Sequence, residues 1–181
     1  MNAKANFQLP EQSVPFHNAK KLLDAYSIAL ETTTQIQTLI IRISKNIVFL
    51  KSRFENDVHP NTFAELESLI SITRYLADEF NNTFDVQCEK YQNSVTQCDA
   101  GDLLEVYGLA HEVHTWFSST IYEIKDELDA VKNSSTALCD LVFASLENLI
   151  SIADYLSDNH RNTFKIECDK YQAEWETVKN G

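Results

Sequence analysis

TFAELESLISITRYLADEFNNTFDVQCEKYQN, residues 62–93, returns eighty positions later as VFASLENLISIADYLSDNHRNTFKIECDKYQA, residues 142–173. Eighteen of the 32 positions are identical, among them Phe63/Phe143, Leu66/Leu146, Ile70/Ile150, Tyr75/Tyr155, Phe84/Phe164, Cys88/Cys168 and Tyr91/Tyr171. Upstream, at an offset of 81, the stretch beginning at Leu22 matches the stretch beginning at Leu103. A repeat of this period marks one supersecondary unit used twice. The chain therefore reads as two tandem units, 18–98 and 99–179, each with a first and a second element.

Both elements have helical spacing. In the first unit the apolar-compatible positions Leu22, Tyr26, Ala29, Thr33, Ile36, Ile40, Ile43, Ile47, Leu50 and Phe54 advance in steps of four and three. That alternation is the seam of a left-handed bundle. Leu103, Tyr107, Ala110, His114, Phe117, Ile121, Ile124, Leu128 and Val131 repeat it in the second unit. The second elements carry Phe63, Leu66, Ile70, Thr73, Ala77, Phe80, Phe84, Gln87 and Tyr91, widened by Leu69 and Leu76, as suits a helix packed on two neighbours. Helices are expected over 19–55, 62–95, 102–131 and 136–179. Thr62 with Glu65, and Asp102 with Glu105, have capping-box spacing. Gly101 suits the residue just past the second helix. Long helices joined by short loops make sequential neighbours antiparallel. The expected fold is all-α: an up-down-up-down four-helix bundle, 18–181, built from two tandem αα-hairpin repeats and preceded by a flexible segment, 1–17. A pair of open hairpins closed only by dimerisation is the alternative. No strand is expected.

Composition supports the same class. Only 3 Gly and 3 Pro occur in 181 residues, too few for sandwiches, barrels or glycine-rich phosphate loops. The formal charge of -12 opposes binding to nucleic acid or an anionic membrane. The apolar run Leu39-Ile40-Ile41 stops at Arg42, far short of a membrane span. Residues 1–18 have no hydrophobic signal segment, and four cysteines are too few for a disulfide scaffold. The chain is accordingly expected in the cytoplasm with its thiols reduced. Charge is uneven. The first helix holds six Lys/Arg against three Asp/Glu, while the third holds one against seven. Lys20, Lys21, Arg42, Lys45, Lys51 and Arg53 are expected to face acidic neighbours.

Chemistry-bearing residues are sparse. A di-metal carboxylate site needs Glu-x-x-His, which the chain lacks. His111 and His114 share a face of the third helix, and the repeated Cys88 and Cys168 edge the buried stripe. Together they form a weak metal constellation, with small core thiols as the plainer reading. His114, His160 and Glu167 put polar groups into the seam, and His114 and Glu167 come to similar heights as a candidate buried pair. Cys98 is expected exposed at the second helix's end, and Cys139 in the first turn of the fourth.

Polar residues kept in both units are not explained by core packing. Asp78, Asn82 and Lys90, with Asp158, Asn162 and Lys170, are the candidate interaction residues. The functional expectation is a non-enzymatic acidic bundle that acts on a protein partner or as a homo-oligomer, without cofactor. A small-ligand or metal-binding bundle and an acidic mimic of nucleic acid are the rival expectations.

Overall fold

The computed structural model describes residues 16–92, 97–134 and 138–180. Four helices dominate: α1 (Lys20–Arg53), α2 (Ala64–Gln92), α3 (Ala100–Ser134) and α4 (Ala144–Asn180). At 1.5 Å per residue each runs about 43 to 56 Å. Helix α1 packs chiefly on α2, and α3 chiefly on α4. Helices α1 and α3 also meet across the centre, which leaves α2 and α4 at opposite corners. The directions alternate, as Gln35 with His160 and Asn46 with Ser145 show for α1 and α4. This is the expected four-helix bundle.

The heptad seams are the core. Leu22 through Leu50 on α1 are buried at every expected position, and so are Leu103 and Ala110 through Val131 on α3, with Tyr107 half-buried. On α2 and α4, Phe63, Leu66, Phe84 and their counterparts Phe143, Leu146 and Phe164 fill the same places. The core changes character along the bundle axis. Its loop half is largely aliphatic around Ile40, Ile43, Ile121 and Ile124, closed at the end by Phe63 and Phe143. The middle carries Thr33, His114 and Ser157. The far end is aromatic.

Contacts repeat between the hairpins at the sequence offsets. Lys51 pairs with Glu67 at 2.7 Å, and Lys132 with Glu147. At the other end Tyr26 stacks on Tyr91 at 5.5 Å, and Tyr107 on Tyr171 at 5.6 Å. Lys90 and Lys170 lie 4.7 and 4.5 Å over the outer rings. Burial is the first cause that pushes the Tyr26 and Tyr107 hydroxyls up to about 12.

Several boundaries differ from the sequence reading. The capping box of α3 is Asp99 with Asp102: each backbone N–H donates to the other's carboxylate, at 2.9 and 3.0 Å. Gly101 thus lies inside the first turn of α3, without positive φ. It is small because Trp175 closes over it: a Cβ there would sit 3.2 Å from the indole. Before α2 the chain turns through backbone bonds, Thr62 N–H to His59 C=O and Ala64 N–H to Asn61 C=O, in place of the expected Thr62 box. Helix α4 starts at Ala144, not 136. A single 3-10 turn, Asp140–Val142, and the buried Phe143 precede it, as Phe63 precedes α2. Cys139 is therefore extended and exposed ahead of that turn, not in a helix.

A short antiparallel ladder was not foreseen. β1 (His17–Asn18) pairs with β2 (Gln97–Cys98), tying the entry of α1 to the link before α3. Cys98 is consequently buried, and its thiol points at Asn18 C=O. His17 also bonds Glu174 at 2.7 Å, so the folded part of the chain includes residue 17; residues 1–15 of the expected flexible segment lie outside the described residues. The basic edge of α1 is mostly solvated: Lys51 reaches Glu67, while Lys20, Lys21, Arg42, Lys45 and Arg53 are exposed.

The seam has a direct test. Ile40 and Ile121 are fully buried at matching positions. Ile40→Ala and Ile121→Ala should each lower the unfolding free energy by about 2 to 5 kcal/mol in urea titrations. A loss under roughly 0.5 kcal/mol at both would show that the seam does not carry the fold.

Candidate functional site

The sequence nominates two places, a His/Cys constellation inside and repeated polar residues outside. Inside, α1, α3 and α4 build a buried polar layer. Thr32 donates its hydroxyl proton to Ile28 C=O at 2.9 Å, so its oxygen accepts from His114 Nε2 at 3.0 Å. We assign His114 the Nε2–H tautomer on that ground, which leaves Nδ1 as a buried acceptor without a partner. The His114 ring stacks on Phe164 and meets the His160 ring edge-on at 5.2 Å. His160 Nε2 in turn reaches Gln35 Oε1 at 3.0 Å. Ser157 donates to His114 C=O at 3.2 Å and lies 3.0 Å from Ser118 Oγ. The Thr33 hydroxyl is buried beside them without a hydrogen-bond partner.

The expected His114–Glu167 pair is not formed. Glu167 sits at the rim, bonded to Lys170 at 2.7 Å, because its side chain leaves the seam for solvent. Nor do the four metal candidates act as one set. Cys88 lies 3.8 Å from Ser27 Oγ, and His114 is committed to Thr32. Among the described residues no three His, Cys, Asp or Glu side chains converge as a metal site. Burial raises the Cys88 and Cys168 thiols, the opposite of what a reactive thiolate needs. His111 is lowered, first by burial and then by Lys165 and Arg161.

Outside, the repeated polar residues separate into three settings. Lys90 and Lys170 cover the tyrosine stacks, which accounts for their repetition by packing. Asp78 lines a shallow groove between α1 and α2, where the Gln37 amide donates to it; Asp158 pairs with Arg161 at 3.1 Å. Asn82 and Asn162 are exposed, away from both settings.

What accompanies those asparagines escaped the sequence reading. Ile72, Tyr75 and Val86 on α2 are exposed, and so are Ile152, Tyr155 and Ile166 on α4. Tyr75 and Tyr155 are 65% and 68% accessible, identical in the two units but outside the seam. Residues 72, 75, 79, 82 and 86 advance in three-four steps, so they form a second seam on the side of α2 away from the core. The signal was present: these positions fall out of phase with 70, 73, 77 and 84, yet three of them, Ile72, Tyr75 and Val86, are large and apolar. Each diagonal helix therefore carries an outward stripe of two aliphatic residues and one tyrosine around an asparagine.

Comparison with known protein families, curated proteins and solved structures finds no match to this chain.

The polar layer makes stability depend on pH. Burial, then His160, lowers His114 from an ordinary value of 6.5 to about 3. Below pH 6.5 the unfolded chain binds a proton that the folded chain does not, so stability falls as pH drops from there towards 3. At pH 4.5 that difference costs about 2 to 3 kcal/mol relative to pH 7. His114→Leu should remove it, and its stability relative to wild type should improve by that amount between the two pH values in denaturant titrations. An unchanged difference would mean that His114 takes up its proton within the fold.

Proposed function

We propose that the protein is a non-enzymatic interaction module, a duplicated hairpin bundle that binds other proteins through the outward faces of α2 and α4. One observation carries this reading: the same exposed trio, Ile72/Ile152, Tyr75/Tyr155 and Val86/Ile166, occurs on both diagonal helices. Core packing gives no reason to keep large apolar side chains in water. Grouped exposed apolar residues are the usual mark of a docking face, and a helix stripe at three-four spacing suits a partner helix. Asn82 and Asn162, within each stripe, supply polar contacts that set register. The four free cysteines, of which Cys88 and Cys98 are buried, support a reducing compartment, the cytoplasm. Among the described residues no helix is long and apolar enough to cross a membrane.

The double variant Tyr75→Asp with Tyr155→Asp tests the reading. Both sites are exposed, so folding stability should change by no more than about 0.5 kcal/mol per site. Quantitative affinity capture from host extract should lose, by at least tenfold, the proteins that the wild-type chain retains, since a desolvated carboxylate in an apolar contact is costly. An identical set of captured proteins would overturn the assignment of these faces.

A further inference from the structure

The two outward stripes share their apolar residues but not their charges. At the centre of the α2 stripe stands Glu79, and along its edge stand Asp78 and Asp85. The matching positions on α4 are Asn159, Asp158 and Lys165. The α4 stripe is therefore uncharged between Tyr155 and Ile166, and its edge carries one charge of each sign. Asp158 and Lys165 are seven residues apart, so they lie on one flank, about 10.5 Å apart along the axis. Both are about half exposed and pair within the helix, Asp158 with Arg161 and Lys165 with Asp169.

That arrangement is self-complementary in one orientation. If two α4 helices meet antiparallel about a two-fold axis beside position 161, between Asn159 and Asn162, Asp158 of each copy faces Lys165 of the other. Tyr155 then meets Ile166 of the second copy, and Asn159 meets Asn162, with every contact made twice. Such an isologous pairing closes on itself at two copies. The same operation applied to α2 sets Asp78 against Asp85 twice and adds Glu79 to the seam, so like charges oppose it.

We infer that the chain forms an antiparallel homodimer through the outward face of α4, held by the Tyr155–Ile166 contacts and oriented by Asp158 and Lys165, leaving α2 free for a different partner. The inference rests on the reading that the outward faces are interaction surfaces, and it assigns one of them an occupant. The contact spans residues 152 to 166, about 21 Å of helix. That is small for a specific interface, so the dimer should be weak, with Kd on the order of 10 to 100 μM.

Sedimentation equilibrium of the full chain, at concentrations bracketing that range, tests the proposal. The wild type should show a monomer–dimer equilibrium. Lys165→Asp and Asp158→Lys should each weaken it at least tenfold, since each sets like charges against each other twice. The double exchange Asp158→Lys with Lys165→Asp should return it to within about threefold of wild type, which general surface damage would not do. Tyr155→Asp should abolish it and Tyr75→Asp should leave it unchanged. Melting temperatures of all variants should match wild type. A chain that stays monomeric, or a dimer indifferent to the charge exchange, overturns the proposal. A dimer lost with Tyr75→Asp but kept with Tyr155→Asp overturns it as well. The broader interaction reading is judged separately, by the capture comparison of Tyr75 and Tyr155 variants.

Discussion

The two hairpins, α1 with α2 and α3 with α4, hold the most extensive contacts in the molecule, and they close on a shared core in which Ile36, Ile40, Ile43, Ile47, Phe117, Ile121 and Ile124 are all essentially without solvent contact. Removing this much apolar surface from water is what makes helices of about 50 Å stable, since helical propensity alone contributes little at this scale. The outer pair then has no freedom: α2 and α4 each lie in the groove between α1 and α3 at opposite corners. Their placement turns two similar apolar stripes to opposite sides of the molecule. The lysine–glutamate clasps and the tyrosine stacks fix each hairpin internally, and the shared core fixes which way the outward faces turn.

The middle layer supplies what the aliphatic half lacks, a reason to choose one register. Thr33, Ala77 and Phe80 of the first unit are answered by His114, Ser157 and His160 of the second. The two hairpins therefore differ where they meet near the centre. Sliding α3 along α1 by a heptad would carry His114 away from Thr32 and into hydrocarbon, leaving its N–H unpaired as well as its bare Nδ1. The layer thus trades some stability in acid for a defined alignment of two otherwise similar hairpins.

At the surface the divergence has the opposite pattern. Apolar residues stay and charges change: Arg74/Asp154, Glu79/Asn159, Asn81/Arg161 and Asp85/Lys165. Each exposed charge contributes little to folding, so such exchanges leave the bundle intact. They bear strongly on what each face can meet, because charges flanking an apolar stripe select partner and orientation. Two faces alike in shape and unlike in charge are suited to two different occupants.

Helix number, pairing and core were readable from the chain alone, because heptad periodicity is a property of the sequence that packing merely uses; several helix ends were not. The start of α4 was misplaced at 136 by the polar run at 133–136; the repeat offset applied to Thr62 gives 142, nearer the observed Ala144. Other features could be decided only in three dimensions. The ladder between His17 and Cys98 joins segments eighty residues apart with no local pattern. Asp99 rather than Asp102 begins α3 because both cap spacings exist in the sequence, and Trp175 packing over Gly101 favours the earlier start. His114 could be placed in the seam but not beside Thr32, since spacing gives the side a residue faces and not the neighbour it meets. Tyr75 and Tyr155 show the same limit most clearly. Periodicity placed the wider stripe of α2 and α4 inside, but it did not show that a second, narrower apolar stripe stands on the outward side. The wider stripe goes in because it buries more area against α1 and α3, and the narrower one is left to water.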